Sequence, residues 1–270
     1  MVRIYVPVNF SEYSVNAIDY AMTLAQKLDV DITLLHCKHA YNEDTENVLN
    51  DQQVKENFQE LLQKYKNQFS ENLKVHTRHV NGYPEDVLVD LSEKEEPDVI
   101  VMGTRSKGET IKELLGSVTS DVIKNAKVPV LAVPAESSID LNRISHILFV
   151  TDFGDQDYRS IHKLIKLVTP FETLIHAVHF ATSDPDRWDK KRLEEMRLYC
   201  AETYRKYKME FEFITGDDFI ASLDDYIGRN SIDLIAMTRR KRNMISKIFH
   251  PSITRKILFH TDVPLLVFHE

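Results

Sequence analysis

The sequence predicts an α/β protein made of two tandem domains, each with a doubly wound, mainly parallel five-stranded sheet. Three observations predict it. The chain repeats itself, each copy alternates strand-like with helix-like segments, and the segments expected in mid-sheet are short apolar runs. The 270 residues are 43% hydrophobic and 28% charged, which is typical of a globular chain and argues against disorder.

The repeat sets the domain organisation. The segment that begins RIYVPVNF resembles HILFVTDF, which places Asn9 opposite Asp152. KVPVLAV likewise resembles DVPLLVF, which places Pro129 opposite Pro264. The second copy is therefore about eight residues shorter in its middle. We expect domains over residues 1–135 and 136–270, joined through the polar stretch 134–145.

The elements of the first copy follow in order. RIYVPV indicates a strand, and Ser11 is suited to cap a helix whose apolar positions, among them Ile18 and Met22, recur at helical spacing. DITLLHC indicates a second strand, and KVHTRHV indicates a third. Between them, residues 45–69 indicate a long polar helix, which we expect over the sheet edge as a lid or interaction surface. Pro84 opens the next helix, DVIVM is a buried strand, a helix runs from about Ser117 to Asn125, and PVLAV is the last strand.

Candidate site residues collect at one edge of this sheet. Asn9, Cys37 and Gly103 each stand at the predicted carboxyl end of a strand, where open α/β sheets bind ligands. Three of the seven glycines, Gly103, Gly108 and Gly116, fall within 14 residues. We expect Gly103 to end its strand and to let the backbone turn without a Cβ.

With these motifs the chain resembles the universal stress protein family in its tandem form, over nearly its whole length. Nucleotide-binding members carry G-x2-G-x9-G-[ST] after the fourth strand and an acidic residue at the end of the first. The first copy matches at Gly103, Gly116 and Ser117. It departs at Ser106, where the motif has glycine, and at Asn9, where the family usually has Asp.

The resemblance implies an adenine-nucleotide site in the first copy. Helix N-termini bind phosphate through free N–H groups and the helix dipole, and a serine hydroxyl and an arginine would add contacts. The implied residues are Pro7, Asn9, Cys37, Met102, Gly103, Arg105, Ser106, Gly116, Ser117 and Val118. The resemblance also implies a Rossmann-like fold of the adenine nucleotide alpha hydrolase-like type, with the two domains packed as a pseudo-dimer through their last strands. It leaves association of chains into a homodimer open.

The second copy predicts a degenerate site. The glycine positions become Thr238, Lys241 and Pro251, and Ser252 follows. Thr238 adds a Cβ, and Pro251 has no N–H to offer a phosphate. Asp152 nevertheless keeps the acidic residue that the first copy lacks. The basic run from Arg239 to Arg242 is either a solvated loop or an anion contact.

Other site types are not supported by the residues. GTRSKGET resembles a P-loop, but Glu109 stands where the phosphate-binding lysine belongs. Three histidine pairs, His36/His39, His76/His79 and His176/His179, are three residues apart on strands and so face opposite sides, which argues against a metal site. We expect a packing role for His36 and its equivalent His179, and a packed thiol at Cys37. No catalytic set is evident.

These patterns predict a regulatory stress-response protein that binds ATP or a related adenine nucleotide with Mg²⁺, uses no redox cofactor and hydrolyses ATP slowly at most. Two alternatives stay open: a non-binding scaffold that acts through protein contacts, and an adenylating or phosphoryl-transferring enzyme. The net charge of −8 argues against nucleic-acid and membrane partners. Two distant cysteines and an N-terminus that enters a strand at once predict a cytoplasmic protein.

Overall fold

The computed structural model describes residues 2–25, 27, 29–38, 49–66, 73–104, 117–135, 137, 144–239 and 262–269. The chain divides into two compact units, Met1–Glu136 and Ser137–Glu270. Each unit is an α/β body with five parallel strands. No helix among the described residues is long and apolar enough to cross a membrane.

The first unit alternates strands and helices throughout. Its elements are β1 (Val2–Pro7), α1 (Glu12–Ala25), β2 (Val30–Lys38), α2 (Asp51–Tyr65), β3 (Lys74–Asn81), α3 (Pro84–Lys94), β4 (Val99–Thr104), α4 (Ser117–Asn125) and β5 (Val130–Pro134). The strands lie in the order β3-β2-β1-β4-β5, and every neighbouring pair is parallel. The predicted parallel α/β sheet is confirmed.

The second unit repeats the arrangement. Its elements are β6 (His146–Val150), α5 (Asp155–Val168), β7 (Leu174–Ala181), α6 (Arg187–Thr203), β8 (Lys208–Thr215), α7 (Phe219–Asn230), β9 (Leu234–Arg239) and β10 (Leu265–His269). These strands lie in the order β10-β9-β6-β7-β8, again all parallel. The last strand of the second unit, β10, lies beside β9, just as the last strand of the first unit, β5, lies beside β4.

Reversal of the strand order positions the site in each unit. The first unit's chain moves outward from β1 to β2 and β3, then returns to place β4 on the other side of β1. Right-handed crossovers therefore put α1 and α2 on one face and α3 and α4 on the other. The loops after β1 and β4 leave in opposite directions, which opens a crevice at their carboxyl ends. We call the place between β1 and β4 where the strand order reverses the first switch point. The equivalent place between β6 and β9 in the second unit is the second switch point.

Helix α2, which the sequence predicts over the sheet edge as a lid or interaction surface, packs one stripe on the core, and residues 45–48 and 67–69 of the predicted range lie outside the described residues. Asn50 caps it with a capping box, so it begins at Asp51 rather than near residue 45. The stripe Val54, Phe58, Leu61 and Tyr65 is buried, and the Tyr65 hydroxyl donates to Asp19 Oδ1 of α1 at 2.6 Å. One stripe of α2 thus packs on the core, while most of its residues are exposed. Its first turn reaches the carboxyl end of β2, where Lys38 Nζ lies 3.2 Å from Asp51 Oδ1.

Candidate functional site

The turn after β1 presents Asn9 at the first switch point. Asn9 is exposed, and its Oδ1 accepts hydrogen bonds from the Ser11 backbone N–H at 3.2 Å and the Ser11 hydroxyl at 2.6 Å. Because the amide oxygen is occupied within the turn, the amide N–H₂ group is the part of Asn9 that can serve a ligand. An Asp at this position would offer only acceptors.

Aromatic contacts hold this turn in an unusual backbone conformation. Phe10 has a φ of 61°, in the left-handed region that a bulky side chain rarely adopts. Its ring centroid lies 5.1 Å from that of Phe58 on α2 and 5.2 Å from that of His36 on β2. His36 Nδ1 lies 2.8 Å from the Val8 carbonyl oxygen, to which it donates. The turn that carries Asn9 is therefore held by both α2 and β2.

Gly103 allows α1 to lie directly against β4. A Cβ at this position would fall 2.0 Å from the Tyr13 carbonyl oxygen and 2.4 Å from its carbonyl carbon. Both atoms belong to the first turn of α1, so side chain motion could not relieve the overlap. Gly103 is the penultimate residue of β4, which continues to Thr104, so the expected turn of the backbone does not begin at Gly103 itself. A close approach of backbone to backbone, rather than a turn, requires glycine here.

The amino end of α4 lies beside the same residue. Thr119, the third residue of α4, places its hydroxyl 3.4 Å from the Gly103 carbonyl oxygen. The first turn of α4 has no acidic residue, whereas the first turns of α1, α2 and α3 carry Glu12, Asp51 and Glu85 with Asp86. The positive end of the α4 dipole is thus left for another anion.

The structure brings part of the predicted residue set together. Pro7, Asn9, Gly103 and Val118 lie at the ends of β1, β4 and α4 that meet at the switch point. Met102 is buried in β4, so its side chain belongs to the core. Arg105, Ser106, Gly116 and the side chain of Ser117 lie outside the described residues.

The Cys37 thiol on β2, for which the sequence predicts a packed side chain, is partly buried. Burial raises its pKa to about 11, and the negative charge of Glu85 acts in the same direction. The thiol is therefore protonated at neutral pH and is not an activated nucleophile.

The second switch point turns its polar groups inward. Asp152 is only 6% exposed, and its Oδ1 accepts from the Gly154 backbone N–H at 3.1 Å. Thr238 is 1% exposed and donates to Asp157 Oδ1 at 2.6 Å. The Asp152 carboxylate, which the first copy lacks, thus caps its own turn within the site that the sequence predicts to be degenerate. Lys241, Pro251, Ser252 and residues 240–242 of the basic run lie outside the described residues.

Sequence reasoning missed Asp157, which lies at the centre of this inward arrangement. Its counterpart in the first unit is Ser14, and the neighbouring Val8 and Ala17 are matched by Thr151 and Ser160. Comparing the two copies position by position would have shown that polar residues replace small or apolar ones together. That coordinated change was the available signal.

His36 and His179 make the same packing contact in the two units. His179 Nδ1 donates to the Thr151 carbonyl oxygen at 2.9 Å, as His36 does to Val8, which confirms the shared packing role. Among the described residues, no group of three or more His, Cys, Asp or Glu side chains could hold a metal ion.

Fold and switch points together define a tandem of two doubly wound α/β domains. The family model described as "Universal stress protein family" matches residues 1–134 and 143–269. The chain belongs to the universal stress protein family, with two family domains in tandem. The resemblance seen in the sequence is confirmed.

Individual relatives agree with this assignment. A universal stress protein of Methanocaldococcus jannaschii is 34% identical over 137 residues, which cover 48% of this chain and 81% of that protein. A crystal structure of a universal stress protein from Archaeoglobus fulgidus matches 99% of this chain and 98% of its own, with a TM-score of 0.74 and 18% identity. A putative universal stress protein from Pseudomonas aeruginosa matches 99% and 92%, with a TM-score of 0.65 and 14% identity. The two crystal structures show that the tandem fold is shared.

Replacing Gly103 by Ala should destabilise the first unit. The new Cβ would overlap backbone atoms of α1, and forced overpacking of this kind costs about 1–3 kcal/mol. Gly228→Ala in α7 is the matched control, because a Cβ there meets nothing within 4 Å and alanine favours helix by up to about 1 kcal/mol. Denaturant unfolding should show a lower free energy of unfolding for Gly103→Ala and a higher one for Gly228→Ala, each relative to the unaltered protein. Equal effects would contradict the close-approach account.

Stability should fall as the pH drops below about 6.5. Burial lowers the pKa of His36, His176 and His179 below the ordinary value, despite opposing backbone hydrogen bonds at His36 and His179. Below that ordinary value the unfolded chain binds protons that the folded chain does not, so unfolding is favoured. Urea midpoints at pH 7.5 and 5.5 should differ less in His179→Asn than in the unaltered protein. An unchanged difference would show that His179 does not contribute.

Proposed function

We propose that the chain binds ATP or a related adenine nucleotide at the first switch point, in a regulatory role. One observation carries the proposal: the Asn9 turn, Gly103 and the amino end of α4 converge where β1 and β4 separate. Crevices of this kind are the ligand sites of doubly wound sheets. Mg²⁺ would accompany the phosphates.

The phosphate end of the ligand would lie at α4. A helix start without acidic residues offers unpaired N–H groups and a positive dipole end to an anion. The family motif supplies Gly116 and Ser117 at this start and Arg105 before it. Arg105 would add a charge-assisted hydrogen bond.

The ribose end would lie at Asn9. Because Ser11 occupies the amide oxygen, Asn9 would donate from its N–H₂ group to a ribose oxygen. This single neutral contact is weaker than the contacts a carboxylate can make to two hydroxyls. The first unit should therefore bind nucleotide less tightly than a version with Asp at this position.

A cyclic nucleotide belongs among the ligands to be tested. A solved universal stress protein described as a complex with cAMP matches 49% of this chain at 24% identity, with a TM-score of 0.40. That ligand is a property of the other protein. ATP and cAMP share the adenosine and phosphate groups to which the first switch point is suited.

A second candidate function is a scaffold that acts through protein contacts. Helix α6 carries three large apolar side chains that face solvent, with Trp188 68%, Leu198 55% and Tyr199 39% exposed. Exposed aromatic residues of this kind are enriched in protein interfaces. The scaffold reading expects no response to any adenine nucleotide. A cytoplasmic location and a homodimer remain expectations from the sequence and the family.

Two substitutions test the nucleotide site through the thermal shift given by ATP, ADP and cAMP. Asn9→Asp should bind ATP about fivefold to tenfold more tightly, because a charged acceptor replaces a neutral donor. Gly116→Pro, which imitates the second copy, should abolish the shift without unfolding the protein.

Asn125→Asp is the control for Asn9→Asp. It adds the same charge at the exposed carboxyl end of α4, away from the switch point, and should leave affinity unchanged. A Gly116→Pro protein that binds ATP as well as the unaltered chain would refute the assigned site. No shift with any of the three nucleotides would favour the scaffold.

A further inference from the structure

A fully buried carboxylate organises the second switch point. Asp157 is 0% exposed; its Oδ2 accepts from the Thr151 hydroxyl at 2.7 Å and from the Asp152 and Gly154 backbone N–H groups at 3.2 Å each. Its Oδ1 accepts from the Thr238 hydroxyl at 2.6 Å. The Thr238 and Ser160 hydroxyl oxygens are 2.8 Å apart. We call Thr151, Asp157, Ser160 and Thr238 the Asp157 hub.

The hub joins both sides of the switch point. Thr151 follows β6, Asp157 and Ser160 lie on the first turns of α5, and Thr238 lies near the end of β9. In the first unit the same junction is made by direct contact of α1 with Gly103. Hydrogen bonds in the second unit thus take the place of a close backbone contact in the first.

The hub residues depend on one another. A carboxylate buried without its donors is costly, and so is a buried hydroxyl without its acceptor. Four positions therefore change together between the units: Val8 to Thr151, Ser14 to Asp157, Ala17 to Ser160 and Gly103 to Thr238. Any one of these substitutions made alone in the first unit would leave an unsatisfied buried polar group or, at Gly103, would cause a steric overlap.

The two switch points also differ in charge. Ser14 of the first unit is neutral, while its counterpart Asp157 is acidic and fully buried. A carboxylate at this depth is weakly screened and opposes a phosphate at the same rim.

We propose that the Asp157 hub acts as one cooperative unit that holds the second switch point together without a ligand and makes it unfavourable for anions. The claim that the hub holds the switch point together concerns the fold alone. The claim that the hub disfavours anions rests on the proposed nucleotide function of the first unit, so the two claims are tested separately.

Hydrogen exchange on the full chain tests the cooperative unit. Asp157→Ser should lower the protection of the Asp152 amide about tenfold to a hundredfold, because this amide loses its acceptor. The Gly154 amide should lose less protection, because it also donates to Asp152 Oδ1. Thr238→Gly should lower the protection of these amides by a similar factor. In the double variant, the factor by which protection falls should be at least tenfold smaller than the product of the two single-variant factors. A double-variant factor within about twofold of that product would overturn the proposal.

Two further variants separate the hub from general damage to α5. Asp157→Asn should keep most of the protection, since its amide oxygen can accept from the backbone N–H groups while its N–H₂ donates to Thr238. Asp155→Asn removes an exposed acid from the same turn and should leave both amides unaffected. Equal loss in Asp155→Asn and Asp157→Ser would overturn the assignment of the protection to the hub.

Transfer of the hub to the first unit tests the effect on anions. Val8→Thr, Ser14→Asp, Ala17→Ser and Gly103→Thr together should unfold at a higher denaturant concentration than Gly103→Thr alone. This fourfold variant should also bind ATP about tenfold more weakly than the same variant with Ser14→Asn, which differs only in charge. Equal affinities would overturn the role of the charge. Failure of the unaltered chain to bind ATP would reject the proposed function, while hydrogen exchange still decides the hub.

Discussion

The contact between the first turn of α1 and Gly103 is the constraint on which the first unit's site depends. It brings the helix that follows β1 against β4 with no side chain between them, so a Cβ would meet the Tyr13 carbonyl oxygen at 2.0 Å. The turn that carries Asn9 precedes this helix, and Thr119 of α4 reaches the Gly103 carbonyl oxygen from the other face. Loss of this contact would separate the groups that a nucleotide needs to meet together.

In the second unit, the same junction between helix and strand is made by hydrogen bonds instead of a close backbone contact. Thr238 and Asp157 fill the junction with hydrogen bonds, and Asp152 is drawn into its own turn. The first solution leaves a neutral, exposed amide at the rim, and the second leaves buried acids. The difference between the two switch points thus lies in a few side chains below the rim as well as in the sequence of the glycine loop.

Sequence patterns predicted the framework because apolar runs and helical spacing report burial directly. The strands, their parallel order and the importance of Gly103 were accessible in this way, although the reason for Gly103 was not, since sequence does not show that Tyr13 lies against it. The core contact of helix α2 is hard to predict because its composition is polar, while only a narrow stripe through Phe58 packs. Asp157 stands in the acidic run DQDY, which is typical of a solvated helix start, and only the tertiary structure shows its burial.

Calorimetric titration of the full chain with ATP and Mg²⁺ tests the central claim most directly, because it counts sites. We expect one site per chain with a dissociation constant in the micromolar range, which corresponds to a binding free energy of about −8 kcal/mol. Two equivalent sites would contradict the closure of the second switch point by Asp157 and Thr238. Absence of heat at any nucleotide concentration up to the millimolar range would contradict the assignment of the first.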